Sequence, residues 1–263
     1  MRVTMLLDNI AADERFAAEH GLSLYIETQG RRILFDTGQS DAFARNANAL
    51  GIDLAAVDMA ILSHGHYDHS GGMLHFLEVN RHAPVYVSEQ AFGRFEASDG
   101  RDIGIAPALA HQARIIRTGD FLALGPGLEL HSCNAEPRPY ASHSGGLLMY
   151  REGKLVQDDF LHEQYLCIRE NGKCIVISGC SHKGILNIMH WLNPDVLIGG
   201  FHFMKLETSG EGRGELDRAA EELAGYETEY YTCHCTGKKQ FDCLKEQLGD
   251  RLHYFAGGMT LDI

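Results

Sequence analysis

Ser63-His64-Gly65-His66-Tyr67-Asp68-His69-Ser70-Gly71-Gly72 is the stretch on which the reading of this chain turns. It follows an apolar run at 57–62, expected as a buried strand, and precedes 73–79, expected as a helix. In an extended loop, side chains two residues apart face the same way, so His64 and His66 can address one metal ion. As the chain turns into the helix, Asp68 and His69 can address a second ion beside it. Imidazole nitrogens with a carboxylate suit zinc first, with iron and manganese as alternatives. The bland alternative is a polar surface loop with incidental histidines. Four ligand-type residues within six positions, braced by glycines, weigh against it.

Upstream, residues 3–7, 22–28 and 32–35 are β-prone segments bounded by turn residues, the last running into Asp36-Thr37-Gly38. Residues 40–50 have a helical pattern and 85–87 that of a strand. From 88 to 144, glycines and prolines punctuate the chain, which suggests short strands and loops covering a pocket. The second part is more regular. Strands are expected at 164–169, 174–178, 196–199 and 230–232, and helices at 183–192, 215–224 and 239–248. No repeat of solenoid period and no linker interrupts the chain. Strands lead in the first half and β-α units in the second, which implies one α/β domain, 1–263, with two sheets, helices outside, and halves of roughly 1–150 and 151–263.

A loop like 63–72 supplies only part of a paired metal site, so ligands should recur at other strand ends. His162 lies ahead of a strand in Phe160-Leu161-His162-Glu163-Gln164. Cys180 follows one in Ser178-Gly179-Cys180-Ser181-His182. His202 ends another in Gly199-Gly200-Phe201-His202, and His234 the last in Thr232-Cys233-His234-Cys235-Thr236-Gly237. Any one alone could be a core-edge histidine or a packed thiol; loops at one edge of a sheet converge, which favours the four together. Asp36 can accept the second N–H of a ligand histidine, or simply cap its turn. Ser181, His182, Lys183 and Gly184 open a predicted helix, where backbone N–H groups favour an anion and Lys183 would add charge. Simple N-capping by Ser181 is the competing reading.

The loop His64-Gly65-His66-Tyr67-Asp68-His69, with Phe35-Asp36-Thr37-Gly38 before it, resembles the metallo-β-lactamase superfamily signature. Ser178 to Ile185, Gly199 to His202 and Cys233 to Gly237 resemble the subfamily described as similar to dihydropterin ribofuranosyl-aminobenzene phosphate synthase. The resemblance spans residues 8 to 237. It implies a four-layer αβ/βα sandwich of two mixed sheets with helices outside. It implies two divalent cations, the first on His64, His66 and His162 and the second on Asp68, His69 and His234. The superfamily commonly has a bridging Asp where this chain has Cys180, so Cys180 is either a thiolate ligand or a packed thiol beside a weaker second site. His202 competes with His234 for the last ligand position; His234 is preferred, with His202 left as a proton donor.

Apolar residues form 44% of the 263 and charged residues 22%, an ordinary globular composition that argues against disorder. No apolar run reaches the about 18 residues that span a bilayer, and an acid at Asp8 comes too early for a secretion signal. The expected location is the cytoplasm, without membrane attachment. The formal net charge is −13, which counts against gripping long nucleic acid but not against a small anion held by local donors. Seven cysteines without disulfide-framework spacing fit a reducing compartment. A homodimer is the base-rate expectation.

Several patterns fail. Cys233-x-Cys235 lacks a second pair and is read as flanking His234. Ser142-His143-Ser144-Gly145-Gly146 lacks the strand–nucleophile–helix form. No phosphate-binding loop or dinucleotide fingerprint is present. The expected function is a metal-dependent hydrolase that uses a metal-bound hydroxide on a small anionic substrate, phosphorylated or pterin-like. Asp68 would orient the hydroxide and His202 would protonate the leaving group. A nucleotide phosphodiesterase and a non-enzymatic sensor on the same scaffold are the alternatives. The di-iron oxidoreductases of the superfamily usually carry Glu where His66 stands and an added flavin domain, neither of which this chain has.

Overall fold

The computed structural model describes residues 1–142 and 145–263, and the chain divides into two compact units. The first comprises Met1–Gly119, Gly146–Gln164 and Ala256–Ile263; the second comprises Asp120–Gly145 and Tyr165–Phe255. The division therefore interleaves, and does not follow the sequence halves expected at 150/151. Within 120–142, Phe121–Gly125 and Leu128–His131 pair into the second unit's sheet, and the last strand pairs into the first unit's.

The first unit is built on seven strands in the spatial order Thr260–Asp262, Arg2–Leu7, Ser23–Thr28, Arg31–Phe35, Met59–Leu62, Val85–Ser88 and Ile115–Thr118. The pairings run antiparallel as far as Arg31–Phe35 and parallel beyond it. Met59–Leu62 is buried along its length, as a parallel strand with both faces covered must be. The helix Ala42–Ala49 turns Phe43 and Ala47, four apart, into the core, and Met73–Val79 does the same with Met73, Phe76 and Leu77. Phe43, Met73, Phe76 and Leu77 each contribute about 1.5–3 kcal/mol from the apolar surface they remove from water. A separate antiparallel sheet of Phe95–Glu96, Leu148–Arg151 and Lys154–Gln157 adds a third sheet to the two expected.

The second unit has a seven-stranded mixed sheet in the order Leu252–Tyr254, Glu229–Thr232, Val196–Gly199, Lys173–Ile177, Tyr165–Glu170, Leu128–His131 and Phe121–Gly125. The first four strands pair in parallel, with helices Ile185–Leu192, Gly210–Ala224 and Lys238–Leu248 packed through Ile188, Leu216, Leu223 and Leu244. The helix predicted at 215–224 begins five residues earlier, at Gly210. The one predicted from 183 begins at Ile185. Among the described residues, no helix is long and apolar enough to cross a membrane.

Candidate metal centre

In the first unit, Met59–Leu62 ends at Ser63, and the next residues form the metal-type loop. Neighbouring parallel strands Arg31–Phe35 and Val85–Ser88 end on either side. Gly65 permits the loop to lie flat, because a Cβ there would stand 2.8 Å from the Ala91 carbonyl oxygen and 2.9 Å from the Phe95 ring. Tyr67 N–H donates to the Ile103 carbonyl at 2.9 Å, and a single helical turn, Tyr67–Ser70, follows. These constraints bring the histidine rings together. Ring centroids are 4.6 Å apart for His64 and His66, 4.1 Å for His64 and His69, and 5.1 Å for His66 and His162.

Asp36 organises this group. It sits at φ 61°, a left-handed conformation that Asp tolerates better than most residues. Its carboxylate accepts the Ser63 N–H at 2.7 Å and the Ser63 hydroxyl at 2.6 Å. His69 Nδ1 lies 2.7 Å from Asp36 Oδ2, so its Nδ1–H donates there. The Ser63 hydroxyl has spent its proton on Asp36, so it accepts from His64 Nδ1–H at 2.8 Å. Both imidazoles are thereby held with the proton on Nδ1 and the lone pair on Nε2, the form a metal requires. Burial works against a charge on His69, but the carboxylates of Asp36 and Asp68 outweigh it and raise its pKa. Burial, followed by the nearby His162, pushes His66 down to about 3, so it is neutral and ligand-competent at pH 7. Asp68 Oδ2 lies 3.2 Å from His20 Nε2 and 3.7 Å from His69 Nε2.

Donor atoms of His66, Asp158 and His162 all lie within 4.8 Å of one another. Asp158 was absent from the residues expected from sequence. Burial alone would raise its pKa, but its hydrogen bond with His162 and that ring's charge hold it below the ordinary carboxylate value. The donor set fits a divalent ion in its chemistry: buried imidazole nitrogens with a carboxylate among them.

The second unit presents its own group at the C-terminal ends of its parallel strands. Donor atoms of Cys180, His234 and Cys235 lie within 4.8 Å of one another, all buried. Cys235, read from sequence as a flanking residue, is one of the three; its Sγ–H donates to the Cys180 carbonyl at 3.3 Å. Gly200 is required beneath it, since a Cβ there would stand 2.3 Å from the Cys235 sulfur. Ser181, His202 and His234 all have positive φ (59°, 56° and 47°), a costly conformation that clusters at functional sites.

His182 and His202 have ring centroids 4.2 Å apart and line a cavity of about 370 Å³. Ile185, Phe201 and Phe203 form apolar wall, and the helix Gly210–Ala224 adds Glu215 and Arg218. Ser181 also lines it, its hydroxyl 2.8 Å from that of Ser178 and capping no helix N–H. Lys183 does not meet its expectation of offering charge to a substrate. Its ammonium is buried, donates to the Ser132 carbonyl at 2.6 Å and lies 5.6 Å over the Tyr165 ring. Of the stretch 142–146 set aside above, His143 and Ser144 lie outside the described residues.

Comparison with known proteins agrees with this geometry. Residues 18–145 match the metallo-beta-lactamase superfamily. The chain is 28% identical to the 7,8-dihydropterin-6-methyl-4-(beta-D-ribofuranosyl)-aminobenzene-5'-phosphate synthase of Methanocaldococcus jannaschii, over 95% of this chain and 93% of that one. It is similar in structure to Tm1679, a metal-dependent hydrolase of the beta-lactamase superfamily, at 29% identity and a TM-score of 0.84, covering 100% of this chain and 99% of the other. Zn(2+)-bound PqqB from Methylobacterium extorquens shares the fold at 13% identity, with a TM-score of 0.59 and all of both chains covered. The mixed α/β architecture is thus the metallo-β-lactamase fold.

Proposed function

We propose that this chain, which carries the metallo-β-lactamase fold and sequence match, is a divalent-metal-dependent hydrolase acting on a small substrate that joins a ring system to an anionic group. The observation that carries the reading is the pair of buried imidazoles, His64 and His69, each oriented at Nδ1 by Ser63 or Asp36 and gathered with His66 into one cluster. Zinc is the ion assigned first, with two per chain the expected occupancy. A bound divalent ion supplies Lewis acidity and an ionised water near neutral pH.

The remaining roles belong to side chains of the chain itself. Asp68, 7% exposed, orients the nucleophile with a carboxylate oxygen. His202 faces the cavity and donates the proton to the leaving group. The cavity's aromatic and aliphatic wall, with Glu215 and Arg218 beside it, suits a ring bearing hydrogen-bonding edges. The name of the M. jannaschii relative supports a pterin-like or phosphorylated substrate. All seven cysteines are free thiols, which supports a reducing compartment, the cytoplasm.

The test is turnover of phosphodiester, ester and lactam reporters by protein stripped with a chelator and then reloaded with zinc, iron or manganese. Turnover that is lost on stripping and restored by one of the metals supports the reading. No turnover on any reporter, together with tight binding of a small ligand, replaces it with a sensor.

A further inference from the structure

We infer that Arg218 receives the oxyanion of the ligand, a carboxylate or phosphate, in the cavity of the second unit, and that Tyr140 positions Glu222 so that it does not neutralise Arg218. This role rests on the reading of that cavity as the ligand site, and names the residue that selects for charge there.

Helix Gly210–Ala224 has two faces. Leu216, Ala220 and Leu223 pack into the core. Glu215, Arg218, Ala219 and Glu222 line the cavity, at the i, i+3, i+4 and i+7 spacing of a single stripe. The helix treats its arginines differently. Arg213 is ion-paired with Asp217 at 2.7 Å and with Glu246 at 2.6 Å. Arg218 has a glutamate three residues before it and another four after it, separations at which opposite charges on a helix ordinarily meet. Among the described residues, however, no hydrogen bond or ion pair engages its guanidinium.

Glu222 is held elsewhere. Its Oε2 accepts the Tyr140 hydroxyl at 3.3 Å. Tyr140 is fixed in turn by its own backbone, whose N–H donates to Asn187 Oδ1 at 3.0 Å and whose carbonyl accepts from Asn187 Nδ2 at 2.8 Å. Asn187 is fully buried in the helix Ile185–Leu192, so this clamp is anchored in the core.

A guanidinium offers a planar fork of N–H donors that matches the oxygens of a carboxylate or phosphate. Arg218 is exposed, so keeping it charged costs little, and the wall it shares with Ile185, Phe201 and Phe203 is otherwise apolar there. A ligand with an apolar body and an oxyanion at one end meets both. The formal net charge of −13 repels anions at long range, so an unneutralised cation at the cavity supplies the local attraction.

The test titrates benzoate, phenyl phosphate and neutral benzamide into the metal-loaded, 15N-labelled full chain. The signal followed is the Arg218 Nε–H resonance, identified by its loss in Arg218→Lys. Benzoate or phenyl phosphate is expected to shift it saturably and benzamide to leave it in place; the tighter anion names the group. A resonance that neither anion moves overturns the inference. Arg218→Gln should weaken the tighter anion by about 10-fold, the lower end for a hydrogen bond to a charged group, and unchanged affinity also overturns it. Tyr140→Phe should weaken the anion by about 2–5-fold, the size of the exposed Arg218–Glu222 pair it lets form. Adding Glu222→Gln should restore the wild-type affinity; no restoration overturns the positioning role of Tyr140. Anion binding at Arg218 in protein that turns over no reporter supports this inference and removes the hydrolase reading. Turnover with an Arg218 resonance that no anion moves overturns this inference alone.

Discussion

The carboxylate of Asp36 and the imidazole of His69 meet at 2.7 Å where neither side chain has any solvent exposure. Asp36 belongs to the end of one strand and His69 to the helical turn after the next, so the contact spans 33 residues and fixes the metal-type loop to its neighbouring strand. The same carboxylate receives two bonds from Ser63, which in turn holds His64.

Asp36→Asn tests that arrangement. Asn tolerates the left-handed backbone at this position, but its amide must place an NH2 group against either the Ser63 or the His69 donor. The expected cost is about 2–4 kcal/mol of stability in urea unfolding of the metal-free protein. Zinc affinity should fall by about 10–100-fold in chelator competition. Unchanged affinity would show that His69 orientation does not matter to the ion.

Acid should destabilise the metal-free protein through His66. Burial, then His162, lowers its pKa from 6.5 to about 3, so the folded chain keeps it neutral while the unfolded chain binds a proton. Between those values the unfolded state holds more protons, and stability therefore rises with pH. The contribution is complete above 6.5 and is lost as pH falls toward 3. His69, with its raised pKa, acts in the opposite sense and loses its contribution as pH climbs above 6.5. Urea midpoints of wild type and His66→Gln from pH 7 to pH 4 should therefore converge as the medium becomes acidic. Parallel curves would refute the assignment.

Cys180 and Cys235 can be separated by substitution. The Cys235 S–H is engaged with the Cys180 carbonyl, so Cys180 is the sulfur expected to ionise onto a metal. Cobalt-loaded protein should show a thiolate charge-transfer band in the near ultraviolet that Cys180→Ser abolishes. Iodoacetamide should modify Cys180 faster in stripped than in loaded protein. Equal rates would make it a packed thiol.

Gly65→Ala should destabilise the fold by about 1–3 kcal/mol, because the new methyl group would press on the Ala91 carbonyl and the Phe95 ring. Thermal unfolding reads the effect directly. A neutral result would mean that the loop moves freely off the Phe95 ring.

Strong local patterns were readable from the residues. The strand at 196–199 and the helix at 73–79 coincide with the folded elements, because their apolar spacing is unbroken and their flanks carry turn residues. Gly210-Glu-Gly-Arg-Gly hid the first turn of its helix, since three glycines argue against one on propensity alone. The hairpin around Glu152-Gly153 was missed although a turn signal stood there, with Glu152 at φ 51° and Gly153 at φ 77°. Lys183 looked like a substrate cation because its neighbours suggested a helix start; its carbonyl partner, Ser132, lies 51 residues away in sequence. Cys235 has no second C-x-C pair in the sequence to mark it, because its companion Cys180 is 55 residues distant. Asp158 carried no local signal beyond its place four residues before His162. Side chains whose significance depends on distant partners are the ones a linear reading loses.

The bond from Gly65 to His162 joins residues 97 apart, and between them the chain leaves the first unit and returns. An ion held by His66, Asp158 and His162 would therefore also be a tether across that excursion. In the unfolded chain such a cross-link would close a loop of nearly a hundred residues, a constraint comparable in entropy to a long-range disulfide, about 4–5 kcal/mol at this length. Demetallation would then loosen more than the chemistry, and slow metal loss on dilution would act as a clock on how long the chain keeps its shape.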